Sequence, residues 1–258
     1  MSENLLKALM QLFALASDVD DLTSQSRDVV EQYLNSELNQ DLVGEYLKLY
    51  DEYVERYHQL SLRKIGMEVA SFELDSEEVA QVCNNINKNL LQKQKIIVLI
   101  RLLEYIFVDG NVSDHEANFL SKVSEIFNIS NDEYKNCFDF VEYSGNKLPA
   151  NPSFLEVNNQ KDFAAVGHKH IYSENVQGKL VFLNIESVQL VLLRYFGSAD
   201  LYLNGININT NKVLVFTQGS SVRSPKVSPI YYSDVISRFL VNKSETKIVF
   251  KADDIEYH

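Results

Sequence analysis

Along the first 143 positions apolar residues recur at three- and four-residue intervals, the spacing of one face of a helix. Leu5, Leu9, Leu12, Phe13 and Leu15 mark a first helix, and Val29, Val30, Tyr33 and Leu34 a second. A third, from about Asn39 to His58, carries Tyr46, Tyr50, Tyr53 and Tyr57, which read as packing residues with wet hydroxyls. Ser76 is placed to cap the next helix, with Glu77 and Glu78 at its positive end. Val79, Val82 and Ile86 are its buried face. A strongly apolar helix follows Gln92-Lys93-Gln94 and stops at Phe107-Val108. After the turn Asp109-Gly110-Asn111, Ser113 opens a further helix, and Ser130 to Glu133 is a capping signal for a last one carrying Tyr134, Phe138 and Val141. The pattern predicts an all-α bundle of about seven helices over residues 1–144.

This half repeats itself. A shift of 90 positions brings Leu12 onto Leu102, Leu15 onto Tyr105, Leu22 onto Val112, Val29 onto Phe119, Val30 onto Leu120 and Tyr33 onto Val123. Thr23 falls on Ser113. Helix, polar turn and capped helix therefore occur twice, as in a duplicated helical hairpin. The acidic positions do not repeat, since Asp109 faces Val19 and Glu116 faces Ser26.

Helical spacing ends near Glu142. Residues 145–162, with Gly145, Pro149, Pro152 and several asparagines, read as a linker. Over 163–258 the period becomes two. Lys179–Ile185, Val188–Phe196 and Lys212–Thr217 read as strands, and Asn204-Gly205 between alternating runs is a hairpin signal. Tyr231–Leu240 has the spacing of one amphipathic helix, and Thr246–His258 alternates like a strand. The expected second domain is a small antiparallel β sandwich or roll with one helix, making the chain α+β and two-domain.

Charge sharpens this division. Of 258 residues, positions 1–150 hold 26 acidic against 13 basic side chains and positions 151–258 hold 10 against 11, so net charges of −13 and +1 sum to the chain's −12. The acidic half repels polyanions, which disfavours nucleic acid as a partner. The most apolar run, Ile96–Val108, is broken by Arg101 and Glu104 and is shorter than the ~20 residues of a membrane span. No direct membrane insertion is expected, and neither is a secretory leader, because the start lacks a basic opening and a small-residue cleavage site. Cys83 and Cys137 lack metal or redox spacing and read as buried free thiols in a reducing cytoplasm.

Candidate chemistry is sparse. Phosphate-loop, nucleophile-elbow and zinc-protease motifs are missing, so no catalytic residues and no cofactor are assigned to this chain. Asp109, Asp114 and Glu116 are candidate ligands for a divalent cation, although a hard cation needs about six oxygens and this turn offers fewer. Helix capping by Ser113 and Glu116 accounts for the same residues without a metal. Gly219, Ser220, Ser221 and Arg223 could cradle an anion or simply make a turn. His168 and His170 share one strand face, with no third ligand nearby in sequence.

The stretch Asp109-Gly110, Val112-Ser113 and Glu116 resembles the TerB-like family, associated with tellurite resistance, and the resemblance extends over roughly residues 4–143. It implies an all-helical fold, and cation binding through these carboxylates in some members. The final residues 248–258 resemble the opening strands of ATP-binding cassette ATPase domains, and the preceding β-rich segment resembles the region before that domain in large bacterial ABC transporter ATP-binding proteins. That second resemblance implies a non-catalytic regulatory or docking region. Its parent protein would bind ATP with magnesium at the cytoplasmic face of the inner membrane. Its partners would be the downstream ATPase, the membrane domain and other proteins.

Overall fold

The computed structural model describes residues 3–17, 24–65, 76–110, 112–161, 163, 167–208, 210 and 212–240. Two compact units are formed, one by Met1–Lys147 with Ile185–Leu190, the other by Leu148–Asn184 with Val191–His258.

Among the described residues the first unit carries seven α-helices: α1 (Glu3–Ala16), α2 (Ser24–Glu37), α3 (Gln40–Ile65), α4 (Ser76–Asn89), α5 (Gln92–Ile106), α6 (Asp114–Ile126) and α7 (Asn131–Glu142). The order follows the periodicity. The 90-residue offset now covers three helices, because α1, α2 and α3 correspond to α5, α6 and α7. Buried positions match across copies: Leu9 with Leu99, Leu12 with Leu102, Phe13 with Leu103 and Val30 with Leu120 are each at most 1% exposed. Side-chain caps open the third helices, with Asn39 Oδ1 accepting from Leu42 N–H and Ser130 Oγ from Glu133 N–H. Thr23, the expected counterpart of Ser113, lies outside the described residues.

Both α1 and α5 are buried around most of their circumference, which is the signature of a helix at the centre of a bundle. They pack on each other, with α3 and α4 also against α1, and α6 and α7 also against α5. Phe13 of α1 stacks on Tyr105 of α5 at 4.8 Å between ring centres and meets Tyr33 of α2 edge-on at 5.7 Å. The two copies thus share one core, built on their equivalent first helices.

The second part is β-rich. One sheet has the order β2-β1-β3-β4-β7, from β1 (Phe154–Asn158), β2 (Lys169–Tyr172), β3 (Lys179–Ile185), β4 (Leu190–Phe196) and β7 (Leu214–Phe216). The other has the order β6-β5-β8-β9, from β5 (Tyr202–Leu203), β6 (Ile206–Asn207), β8 (Ser221–Arg223) and β9 (Ile230–Tyr231), and α8 (Tyr232–Leu240) follows it. Leu155, Val157, Leu180, Phe182, Val191 and Leu193 from alternate positions of the larger sheet pack with Val222, Ile230, Val235 and Phe239 in one core. Asn204 (φ +52°) and Gly205 (φ +88°) make the expected two-residue hairpin between β5 and β6.

One expectation needs correction. Residues 145–162 are not simply a linker, because they contain β1, whose five residues are all buried between β2 and β3. The strand is only five residues long, and its proline and asparagine flanks resemble a loop. The two sheets are antiparallel-rich, as expected, and β1 and β2 run parallel, with Glu156 opposite His170. The alternating stretch Thr246–His258 lies outside the described residues. Among those described, no helix is long and apolar enough to cross a membrane.

Candidate functional site

At the end of α5 the backbone tightens into one 3₁₀ turn, Phe107–Asp109, and closes with Gly110 N–H donating to the Phe107 carbonyl at 3.1 Å. Gly110 has φ +80°, a left-handed conformation strained for a residue with a Cβ. The Phe107 ring meets Phe138 of α7 edge-on at 5.1 Å, which ties the turn to the bundle. Val108 is 57% exposed.

On the far side of the turn Ser113 and Glu116 cap α6 reciprocally. Ser113 Oγ accepts from Glu116 N–H at 3.2 Å, while Glu116 Oε2 accepts from both the Ser113 N–H and its hydroxyl at 2.8 Å. Asp114 is exposed in the first helical turn, where the helix dipole favours a carboxylate. The side chain of Asp109, and all of Asn111, lie outside the described residues. Among those described, no three His, Cys, Asp or Glu side chains are grouped to hold a metal ion. Asp114 and the partly committed Glu116 by themselves fall short of the six or so oxygens of a calcium site.

The other expected site residues fall in the β-rich part. Ser220 and Ser221 are buried at 3% and 6% exposure, and the turn is closed by its own hydrogen bonds. Ser220 N–H donates to the Thr217 carbonyl, and Ser221 N–H to Asn204 Oδ1 at 3.0 Å. Ser220 Oγ accepts from Asn204 Nδ2 at 3.1 Å and from Thr217 N–H at 3.2 Å. Gly219 (φ +84°) allows the reversal. Arg223 donates from Nε to Ser221 Oγ at 2.9 Å and lies over the Tyr231 ring at 5.6 Å. The Ser220 and Ser221 amides are thus both engaged within the protein.

His168 and His170 both lie beside Phe163, at 5.7 and 4.7 Å between ring centres. His170 Nε2 is hydrogen-bonded to Asn158 Oδ1, and Asn158 donates in turn to Glu156; these two β1 residues, each 4% exposed, were absent from the sequence reading. Their one sequence signal was polar residues at alternate positions of an otherwise apolar run.

Comparison with curated proteins and with solved structures returns no match. The family model described as "Tellurite resistance protein TerB" matches residues 6–137, half of the chain. That span takes in α2 to α6 whole and nearly all of α1, with most of α7. That match, over half of the chain, places it in the TerB family.

Proposed function

We propose that this chain is the non-catalytic regulatory or docking region of a larger bacterial protein, an ABC-type ATPase. Its TerB unit would receive a protein partner or signal, and its β-rich unit would relay the effect to the ATPase. The observation carrying the modular reading is the reciprocal Ser113–Glu116 cap, which engages the turn's conspicuous carboxylate in holding α6. Support for the ATPase context comes from the likeness of the β-rich segment and residues 248–258 to ABC proteins.

The natural reading frame past His258 tests this. Continuation within about a hundred codons into G-x-x-x-x-G-K-[ST] is expected, and ATP hydrolysis by that full-length product should change when the TerB unit is removed. A frame that lacks the motif overturns the ATPase context and leaves the TerB module standing alone.

A second reading is a divalent-cation sensor at Asp109, Asp114 and Glu116. It is favoured by the exposed Asp114 carboxylate at the start of α6, just beyond the Gly110 turn. Calorimetry with calcium, magnesium, zinc and manganese separates the two. Saturable heat that Asp114→Asn removes supports the sensor, and no heat up to millimolar metal supports the docking module.

A further inference from the structure

The short strands of the smaller sheet put an arginine between two tyrosines on one face. Leu203, Val222 and Ile230 pack with the core, so the alternate residues Tyr202, Arg223 and Tyr231 stand on the outer face. Tyr202 lies directly opposite Arg223, and Tyr231 directly opposite Ser221. Arg223 donates from Nε to Ser221 Oγ at 2.9 Å, and its guanidinium carbon lies 5.6 Å from the centre of the Tyr231 ring. Arg223 is exposed and Tyr231 is 43% exposed, so the pair is held in place without being covered.

Fixed in position, Arg223 is also left unneutralised. Among the described residues its terminal nitrogens meet no carboxylate. Residues 201–240 carry four basic side chains, Lys212, Arg223, Lys226 and Arg238, against the single acid Asp234, a net charge of 4 − 1 = +3 in a chain of net −12. Asp234 is already engaged, its Oδ2 accepting from Tyr231 N–H at 3.0 Å. Asp200 likewise accepts from Asn207 Nδ2 at 3.3 Å, on the β6 side of the sheet. The Asp234 bond also occupies a main-chain donor of the edge strand β9, which discourages strand addition there.

We propose that this outer face is a docking site for an acidic peptide segment of a partner protein. A carboxylate of the segment accepts from the terminal nitrogens of Arg223, and the Tyr202 and Tyr231 rings pack on the peptide beside it. A guanidinium offers paired N–H donors at the spacing of the two carboxylate oxygens. Ser221 and Tyr231 hold that group beforehand, which lowers the ordering cost of binding. Tyrosine and arginine are enriched at the energetic centres of protein interfaces. Charge selects the segment, since an exposed guanidinium in a stretch of net +3 favours an acidic partner over a neutral one. The role belongs to the β-rich unit and is separate from any partner of the TerB unit.

The test is fluorescence anisotropy of a labelled octapeptide of alternating Glu and Ala, titrated with the full chain. The same octapeptide with Gln for Glu is the neutral control. Saturable binding of the acidic peptide alone is expected, and Arg223→Gln should weaken it by roughly tenfold or more. Arg223→Lys keeps the charge without the planar fork, so its affinity should fall between those two. Arg238→Gln removes one positive charge from α8 and should leave the affinity unchanged. No saturation up to millimolar chain, an equal loss in Arg238→Gln, or equally tight binding of a labelled octathymidylate overturns the proposal. A dimer seen by sedimentation and lost in Arg223→Gln assigns the face to a second copy and overturns it too. If Arg223→Gln does not fold, the wild-type Arg223 Nε–H resonance decides. A shift that saturates with the acidic peptide supports the site, and an unmoved resonance overturns it.

Discussion

Arg101 of α5 occupies the place that Gln11 holds in α1, 101 − 11 = 90 positions earlier, and the two copies fill that place differently. Gln11 Nε2 donates to the Tyr57 hydroxyl of α3 at 3.0 Å. Arg101 is buried to 6% exposure, pairs with Glu104 one turn further along α5, and lies 6.0 Å from the centre of the Tyr33 ring of α2. Burial works against its charge, but Glu104 first, with other neighbours, more than offsets this and keeps the guanidinium protonated. The second copy thus uses an ion pair where the first uses a neutral amide.

Truncating that cation removes both packing and the partner of Glu104. Arg101→Ala should destabilise the helical unit by about 3 kcal/mol. Arg101→Met, which keeps the stem and lets the 21%-exposed Glu104 turn to water, should cost clearly less. Urea unfolding followed by helical circular dichroism measures both. Equal costs would show that packing of the stem is unimportant at this position.

The Ser113–Glu116 cap satisfies backbone donors at the start of α6, so Ser113→Ala should cost about 1 kcal/mol. Glu116→Gln preserves the capping geometry with a neutral acceptor and should cost only a few tenths, from the lost interaction with the helix dipole. The readout is the denaturation midpoint of the full chain. A Glu116→Gln cost matching that of Ser113→Ala would assign the carboxylate charge a larger role than capping.

Cys83 and Cys137 are both fully buried. Burial pushes the Cys83 thiol up to about 12 and raises that of Cys137 as well, with Glu133 adding to the effect of burial on the latter. Little thiolate exists at neutral pH, and thiolate is the reactive form. A chromogenic disulfide reagent should therefore label neither cysteine in the native protein and both in concentrated guanidinium. Rapid labelling of native Cys83 would mean that α4 opens without global unfolding.

Gly178 and Gly197 allow a close crossing before β3 and after β4. A Cβ built on Gly178, where φ is +87°, would stand 2.0 Å from the Phe196 carbonyl oxygen, and one on Gly197 would stand 2.3 Å from the Gln177 oxygen. The Tyr195 hydroxyl closes the same knot by donating to the Gln177 carbonyl at 2.7 Å and accepting from Ala199 N–H at 3.1 Å. Gly178→Ala should cost more than about 2 kcal/mol, because neither backbone can yield without breaking the other. Gly110→Ala meets open space and should cost about 1 kcal/mol through strain alone. Thermal unfolding compares the two, and a reversed order would refute the steric account.

Local spacing was enough to reveal the helices of the TerB unit, the duplicated pattern and the Asn204-Gly205 hairpin, because each depends on neighbours within a turn or two of the chain. The Ser113–Glu116 cap was legible for the same reason, since its partners are three residues apart. Three features escaped such a reading. β1 is five residues long and is flanked by prolines and asparagines, so its residues looked like part of a linker. Ser220 and Ser221 could be read as a turn or an anion cradle, and their hydrogen bonds to Asn204, sixteen and seventeen residues away, were beyond the reach of local spacing. His170 looked like half of a histidine pair, whereas its partner is Asn158, twelve residues away on a neighbouring strand. Sequence by itself determined where segments coil or extend, because 3.6- and 2-residue periods are properties of the local backbone. Tertiary structure decided which polar groups are already satisfied, because a buried donor is matched by whichever acceptor the fold brings near it, however distant along the chain.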